Sequence, residues 1–234
     1  MAGRITRREL KTDKFAVEVE HTVDFVTQHR SQLVLYGSLA AALAVIATGA
    51  YFYMRHERTV REQTLADAIQ IQEANVGPAN PNAPVNFPTE EARRAAATKA
   101  FSDLAARYSG SSEAAVAEYY LGASAAEQGK LADAQKFFQE AADTGDTNYA
   151  SLARFSLAQI YVSENRLADA EKILRDLIAH PTALVSKELA TIELAKAIAP
   201  TKAAEAKKLL DPLKAQTGAV SQAALGALGD QPLQ

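Results

Sequence analysis

Residue types able to do chemistry are sparse in this 234-residue chain, and where they meet, their spacing is wrong for catalysis. Asp143-Thr144-Gly145 spells the aspartic-protease triplet. Such a site needs β-structure and a second carboxylate to share one proton, whereas this triplet falls between two repeated helical segments. Gly122 and Gly129-Lys130 echo a phosphate loop, but six residues separate the glycines instead of four, and no Ser or Thr follows the lysine. The four histidines, His21, His29, His56 and His180, are scattered without metal-ligand spacing, and His180-Pro181 reads as the close of a helix. There is no cysteine, which removes disulfides, thiol catalysis, zinc–thiolate sites and a lipoprotein anchor. No nucleophile–base constellation is visible. The expectation is a non-enzymatic protein without cofactor or metal. With 25 basic against 28 acidic residues, no overall field points to nucleic acid.

The elements carry more information than the reactive groups. Residues 31–54 are 24 consecutive residues without a charge. As a helix, Leu33 to Tyr53 rises about 32 Å, close to the roughly 30 Å hydrocarbon core of a bilayer. Arg30 and Arg55 bracket the run, and Tyr36, Tyr51, Phe52 and Tyr53 suit the interfacial belts. Ala47-Thr48-Gly49 loosely resembles a signal-peptide cleavage site. Against cleavage, the run exceeds a usual h-region and thirty residues with five acids precede it. Thr6-Arg7-Arg8 stands some twenty residues too far upstream for a twin-arginine signal. An uncleaved transmembrane helix is expected. Six Lys/Arg precede it, against Arg55, Arg58 and Arg61 just after it. The positive-inside rule then favours a cytoplasmic N-terminus by a thin margin. Ala40, Ala44 and Thr48 form a small-residue stripe that permits self-association, although Ala-rich composition alone produces the same stripe. Phe15, Val19, Val23 and Val26 follow helical spacing, which fits either a surface helix or a partly ordered tail.

Beyond the span, Arg55 to Val76 lacks Gly and Pro, and Val60, Leu65, Ala68 and Ile69 share a face. Residues 77–88 hold four prolines and read as an exposed linker or a loop draped over the first helices. Thr89 is placed to cap the next helix. An internal repeat then dominates. Leu121-Gly122, Gly129, Leu131, Ala134, Phe138 and Ala141 recur 36 residues later as Leu157-Ala158, Asn165, Leu167, Ala170, Leu174 and Leu177. A shortened third copy has Leu194-Ala195, Ala206, Leu210 and Leu213, and Ala97, Phe101 and Leu104 form a preceding half-copy. Each unit is a helix, a tight turn and a second helix. Gly122 and Ala158 allow close approach, and Gly129 and Asn165 fit a left-handed turn position. One such pair cannot bury its apolar face alone, so pairs must stack.

Tyr120-Leu121-Gly122, Gln128 to Ala134 and Phe137 to Ala141 resemble the tetratricopeptide repeat, over roughly residues 92–214. The resemblance implies a short α-solenoid, so together with the transmembrane helix the expected chain is all-α. The parts are an N-terminal segment (1–30), a span (31–54), a juxtamembrane helix and linker (55–91), repeats (92–217) and a tail (218–234), the tail either frayed or a weak cap. The whole arrangement is similar to the bacterial YfgM family, the ancillary subunit of the SecYEG translocon. That resemblance implies an inner-membrane protein with a periplasmic repeat domain and translocon and chaperone partners. A scaffold for envelope assembly, division or secretion is the alternative. If the solenoid follows its family, first-helix residues line a concave groove: Tyr119, Ala123 and Ala126, then Phe155, Gln159 and Val162, then Ile192 and Lys196. Tyr119 and Phe155 either grip a partner segment or pack between units.

Overall fold

The computed structural model describes residues 30–78, 84–216, 218–227 and 229. The helical spacing at Phe15, Val19, Val23 and Val26 lies outside them, as do His21 and His29. The chain divides into two units, residues 1–59 and 60–234. Helix α1, Arg30–Gln72, contributes to both.

In the first unit, α1 is long and apolar enough to cross a membrane, and none of its most apolar stretch is buried within the protein. Val34, Leu35, Leu39, Leu43, Val45 and Ile46 are all exposed. The hydroxyls of Ser38 and Thr48 turn inward on the helix. Ser38 Oγ donates to the Leu35 carbonyl at 2.9 Å, and Thr48 Oγ1 donates to the Ala44 carbonyl at 2.7 Å. Each hydroxyl thus satisfies its donor without a solvent partner.

The second unit begins with the end of α1. Ala68 is buried against Phe101, Leu104, Ala114, Ala117 and Leu121, with Leu65 and Ile69 beside it. Helix α1 stops at Gln72, short of the expected Val76. The reason is competition for backbone groups. The Arg93 guanidinium donates to the Gln72 carbonyl, and Asn75–Val76 (β1) pairs in parallel with Asn86–Phe87 (β2). Gly77 N–H donates to the Phe87 carbonyl at 2.9 Å, and Asn86 Nδ2 to the Gly77 carbonyl at 3.0 Å. The described ends of the Pro-rich segment are therefore tied together.

Among the described residues, eight further helices follow: α2 Glu90–Arg107, α3 Ser112–Glu127, α4 Leu131–Thr144, α5 Thr147–Ser163, α6 Leu167–Ala179, α7 Lys187–Ile198, α8 Ala203–Lys214 and α9 Ala219–Gly226. Side-chain caps open α2, α3, α5 and α7. Thr89, Ser111, Asp146 and Ser186 each accept from a first-turn backbone N–H. The second helix of each pair has no side-chain cap and starts from a tight turn. In the first two turns the chain passes through Gly129 at φ 72° and Asn165 at φ 60°. The next backbone N–H closes each: Lys130 donates to the Ala125 carbonyl and Arg166 to the Tyr161 carbonyl.

The repeat positions are the core positions. Ala97, Phe101 and Leu104 are buried, as are Leu121, Ala134, Phe138 and Ala141, then Leu157, Ala158, Ala170, Leu174 and Leu177. The third copy buries Leu194, Ala195, Ala206, Leu210 and Leu213. Helix α9 seats Ala224 in the same cluster as Leu210 and Leu213, so residues 219–226 cap the stack. Across the second and third pairs, Glu171 accepts from Arg175 at 2.7 Å and Lys202 at 2.8 Å, and Arg175 also reaches Glu205 at 2.5 Å. Lys202, then Arg175, hold the Glu171 carboxyl below the usual carboxylate range. Exposed pairs contribute little stability each, so the apolar seam outweighs them.

The crossing of α3 and α4 leaves no room for a side chain at Gly122. A Cβ at Gly122 would lie 2.8 Å from Phe138 Cδ1 and Cε1. Gly122→Ala should gain about 1 kcal/mol of helix propensity but lose about 1–3 kcal/mol to overpacking, because the buried ring cannot swing clear. Chemical denaturation should show a net loss, and Phe138→Leu added to Gly122→Ala should recover part of it. A neutral Gly122→Ala would mean that the crossing is loose.

Candidate protein-binding site

The groove residues expected from the repeat alignment come from α3, α5 and α7, and the structure distributes them over two apolar clusters. Phe155 and Ile192 are 7% and 6% exposed and belong to the large cluster of α5 to α9, with Val162 at its edge. Tyr119, Ala123 and Ala126 border the cluster of α3, α4 and α5. Gln159 and Lys196 are exposed. Phe155 and Ile192 therefore spend most of their surface inside the stack; Tyr119, Ala123, Ala126 and Val162 are half-buried, and Gln159 and Lys196 are the exposed members.

Tyr119 is the centre of an aromatic cluster. Its ring lies 5.6 Å from Phe138 and 5.9 Å from Tyr149 on α5. Tyr120 stands 5.8 Å from it and stacks on Phe101 of α2 at 4.7 Å, with the planes 3° apart. One chain of rings thus links α2, α3, α4 and α5. Phe101 and Phe138 were legible as core, but their link through two adjacent tyrosines to Tyr149 was not. Burial pushes the Tyr119 phenol up, and Ser156 beside it pulls slightly the other way. Tyr120 is also raised, first by burial and then by Tyr149. On the same helix, burial and then Glu140 raise the Glu118 carboxyl, partly offset by the Thr144 hydroxyl.

A second concavity lies where α4, α5 and α6 meet, an open cleft of about 660 Å³. Ala142, Leu157, Tyr161 and Ile173 supply its apolar surface, and Arg154, Arg166, Lys172 and Arg175 supply cations against Asp169 and Asp176. Arg166 is committed: it pairs with Asp169 at 2.8 Å and its guanidinium lies 3.9 Å from the Tyr161 ring centroid. Arg175 is held by Glu171 and Glu205. Sequence reading passed over this cleft, because the repeat alignment weights buried positions. The available signal was Arg154, Leu157 and Tyr161 at helical spacing on a face of α5 apart from Phe155 and Val162.

The discarded chemical motifs are structural. Asp143 and Thr144 end α4, Asp143 accepting from Gln139 at 3.0 Å and Thr144 donating to the Glu140 carbonyl at 2.7 Å. Gly145 is needed there because a Cβ would lie 2.5 Å from the Ala141 carbonyl. His180 ends α6, its ring 3.2 Å from Asp176. Among the described residues, no group of His, Cys, Asp and Glu is arranged to hold a metal ion.

The tyrosine cluster carries a pH signature. A phenol raised in the folded state contributes stability that is complete below its ordinary value of 10.0 and is lost as pH climbs through the raised value. Denaturation midpoints should fall above about pH 10, and Tyr119→Phe with Tyr120→Phe should flatten that fall. An unchanged alkaline slope in the double variant would remove the tyrosines as its cause.

Comparison with known families supports the repeat reading. The tetratricopeptide repeat pattern matches residues 125–182, from the end of α3 to just beyond α6. Neither a curated protein nor a solved structure matches the chain. The chain is all-α: a helix apolar and long enough for a membrane, and a tetratricopeptide-like solenoid, a fold whose use is binding other proteins.

Proposed function

We propose that the protein is a membrane-anchored interaction module with no catalytic role. Its repeats bring a protein partner to the bilayer surface. The stacked helix pairs carry this reading: they match the tetratricopeptide repeat at residues 125–182 and end in the capping helix α9. The anchor is supported by the apolar stretch of α1, whose exposed Val, Leu and Ile side chains would be costly in water and are at home in lipid. The small stripe at Ala40, Ala44 and Thr48 would allow two spans to associate.

At its most specific, the proposal is an ancillary translocon subunit of the YfgM type. It would sit in the bacterial inner membrane, N-terminus cytoplasmic and repeats periplasmic, linking the SecYEG channel to periplasmic chaperones. The flanking charges support this orientation by a thin margin, and the overall arrangement supports the translocon reading; a scaffold for another envelope complex is the alternative. Crosslinking in intact membranes followed by mass spectrometry should recover translocon and chaperone peptides. Recovery of a division or secretion complex in their place would establish the scaffold reading.

The groove of first-helix residues is tested in the same assay. Gln159→Ala with Lys196→Ala should lower partner recovery while leaving the melting curve unchanged. Phe155→Ala should cost about 3–5 kcal/mol through the cavity it leaves. Unchanged recovery with the exposed pair altered would remove the groove from the binding surface.

A further inference from the structure

The cleft at the junction of α4, α5 and α6 has a chemistry that the first-helix groove lacks. Its floor is apolar: Leu157 and Ala142 are buried, and Ile173 and Tyr161 are half-buried, with faces left to the opening. Two of its cations are not committed elsewhere. Lys172 is exposed and makes no ion pair among the described residues. Arg154 is 47% exposed, and its carboxylate, Asp176, is 3.8 Å away, beyond hydrogen-bonding distance. Of the four lining cations, Arg166 is matched by Asp169 and Glu164 and Arg175 by Glu171 and Glu205, which leaves Arg154 and Lys172 facing one lining acid, Asp176. An apolar floor between available cations is complementary to one kind of occupant.

We infer that this cleft is a second docking surface, one that takes an acidic protein segment with an apolar side chain at its centre. The apolar side chain enters over Ile173 and Leu157, and flanking carboxylates pair with Arg154 and Lys172. A basic segment is rejected, because it would place like charges against the rim. The capacity of about 660 Å³ holds a few side chains rather than a long stretch, so the contact is short and salt-sensitive. The inference rests on reading the protein as an interaction module, but not on the groove or on the identity of its partner.

The test uses the full chain in a non-ionic detergent and two fluorescent 12-residue peptides. One has a central leucine flanked by glutamates and alanines; in the other, lysine replaces each glutamate. Anisotropy should show the glutamate peptide bound, tenfold more weakly when salt rises from 50 to 500 mM, and the lysine peptide unbound. Arg154→Ala with Lys172→Ala should weaken the glutamate peptide at least tenfold without moving the melting curve, and Gln159→Ala with Lys196→Ala should leave it unchanged. No binding, equal binding of the lysine peptide, or binding insensitive to the Arg154 and Lys172 substitutions would overturn the inference. Loss on the Gln159 and Lys196 substitutions alone would also overturn it, while supporting the interaction module itself. Failure of the module appears separately, as crosslinking in membranes that recovers no protein partner.

Discussion

Everything in the repeat unit depends on how closely the two helices of a pair can cross. Each crossing sets a small residue on the first helix against a large one on the second. In the first pair these are Gly122 and Phe138, whose ring occupies the space a Cβ would need. The aligned positions are Ala158 and Leu174 in the second pair, and Ala195 and Leu210 in the third, all fully buried. When the first-helix residue gains a methyl group, the second-helix residue shrinks from Phe to Leu. That trade is what a core at crystal-like density requires, since neither a void nor an overlap of one methyl group goes unfelt. The small partners at Ala134, Ala170 and Ala206 are also fully buried and keep the second helix close.

From that crossing the rest of the unit follows. Helices held so near are joined by three-residue turns, in which the chain reverses through a left-handed residue at Gly129 and again at Asn165. The second helices consequently start on Lys130, Arg166 and Lys202, cations placed at the positive end of a helix. An acid in each first turn, Asp133, Asp169 or Glu205, offsets this. Arg166 shows the compensation directly, through its pair with Asp169. Between pairs the residue before the helix is extended instead, and Asp146 and Ser186 there each accept from a first-turn N–H.

Legibility in the sequence tracked these constraints. The aligned positions are core positions because burial selects residue type strongly, so Leu157, Leu174 and Leu194 could be placed without coordinates. The left-handed turns were legible because few residues tolerate them. The end of α1 was not, since it depends on Arg93 and on a pairing between residues eleven apart. The capping helix α9 was also weakly marked, its apolar content being mostly alanine. At the surface the loss is greater. The groove was inferred from family geometry, and its two largest apolar members, Phe155 and Ile192, proved to be inside the stack. The cleft was missed because its cations look like ordinary solvated charge until the pairing of each is known.

A surface built on such a stack divides its duties by helix. First helices contact both their own partner and the preceding pair, so their large side chains are drawn inward, as Phe155 and Ile192 are. The seam between α4 and α6 is different. There the two second helices are separated by the outer face of α5, and Leu157 and Tyr161 floor a concavity that the stack itself does not fill. Shape in a short solenoid is therefore more available between units than along them. With few units, a groove along the first helices stays shallow, whereas a seam is complete as soon as two pairs meet. The segment matched by the repeat pattern, residues 125–182, contains α4, α5 and α6 whole, the elements that form this seam.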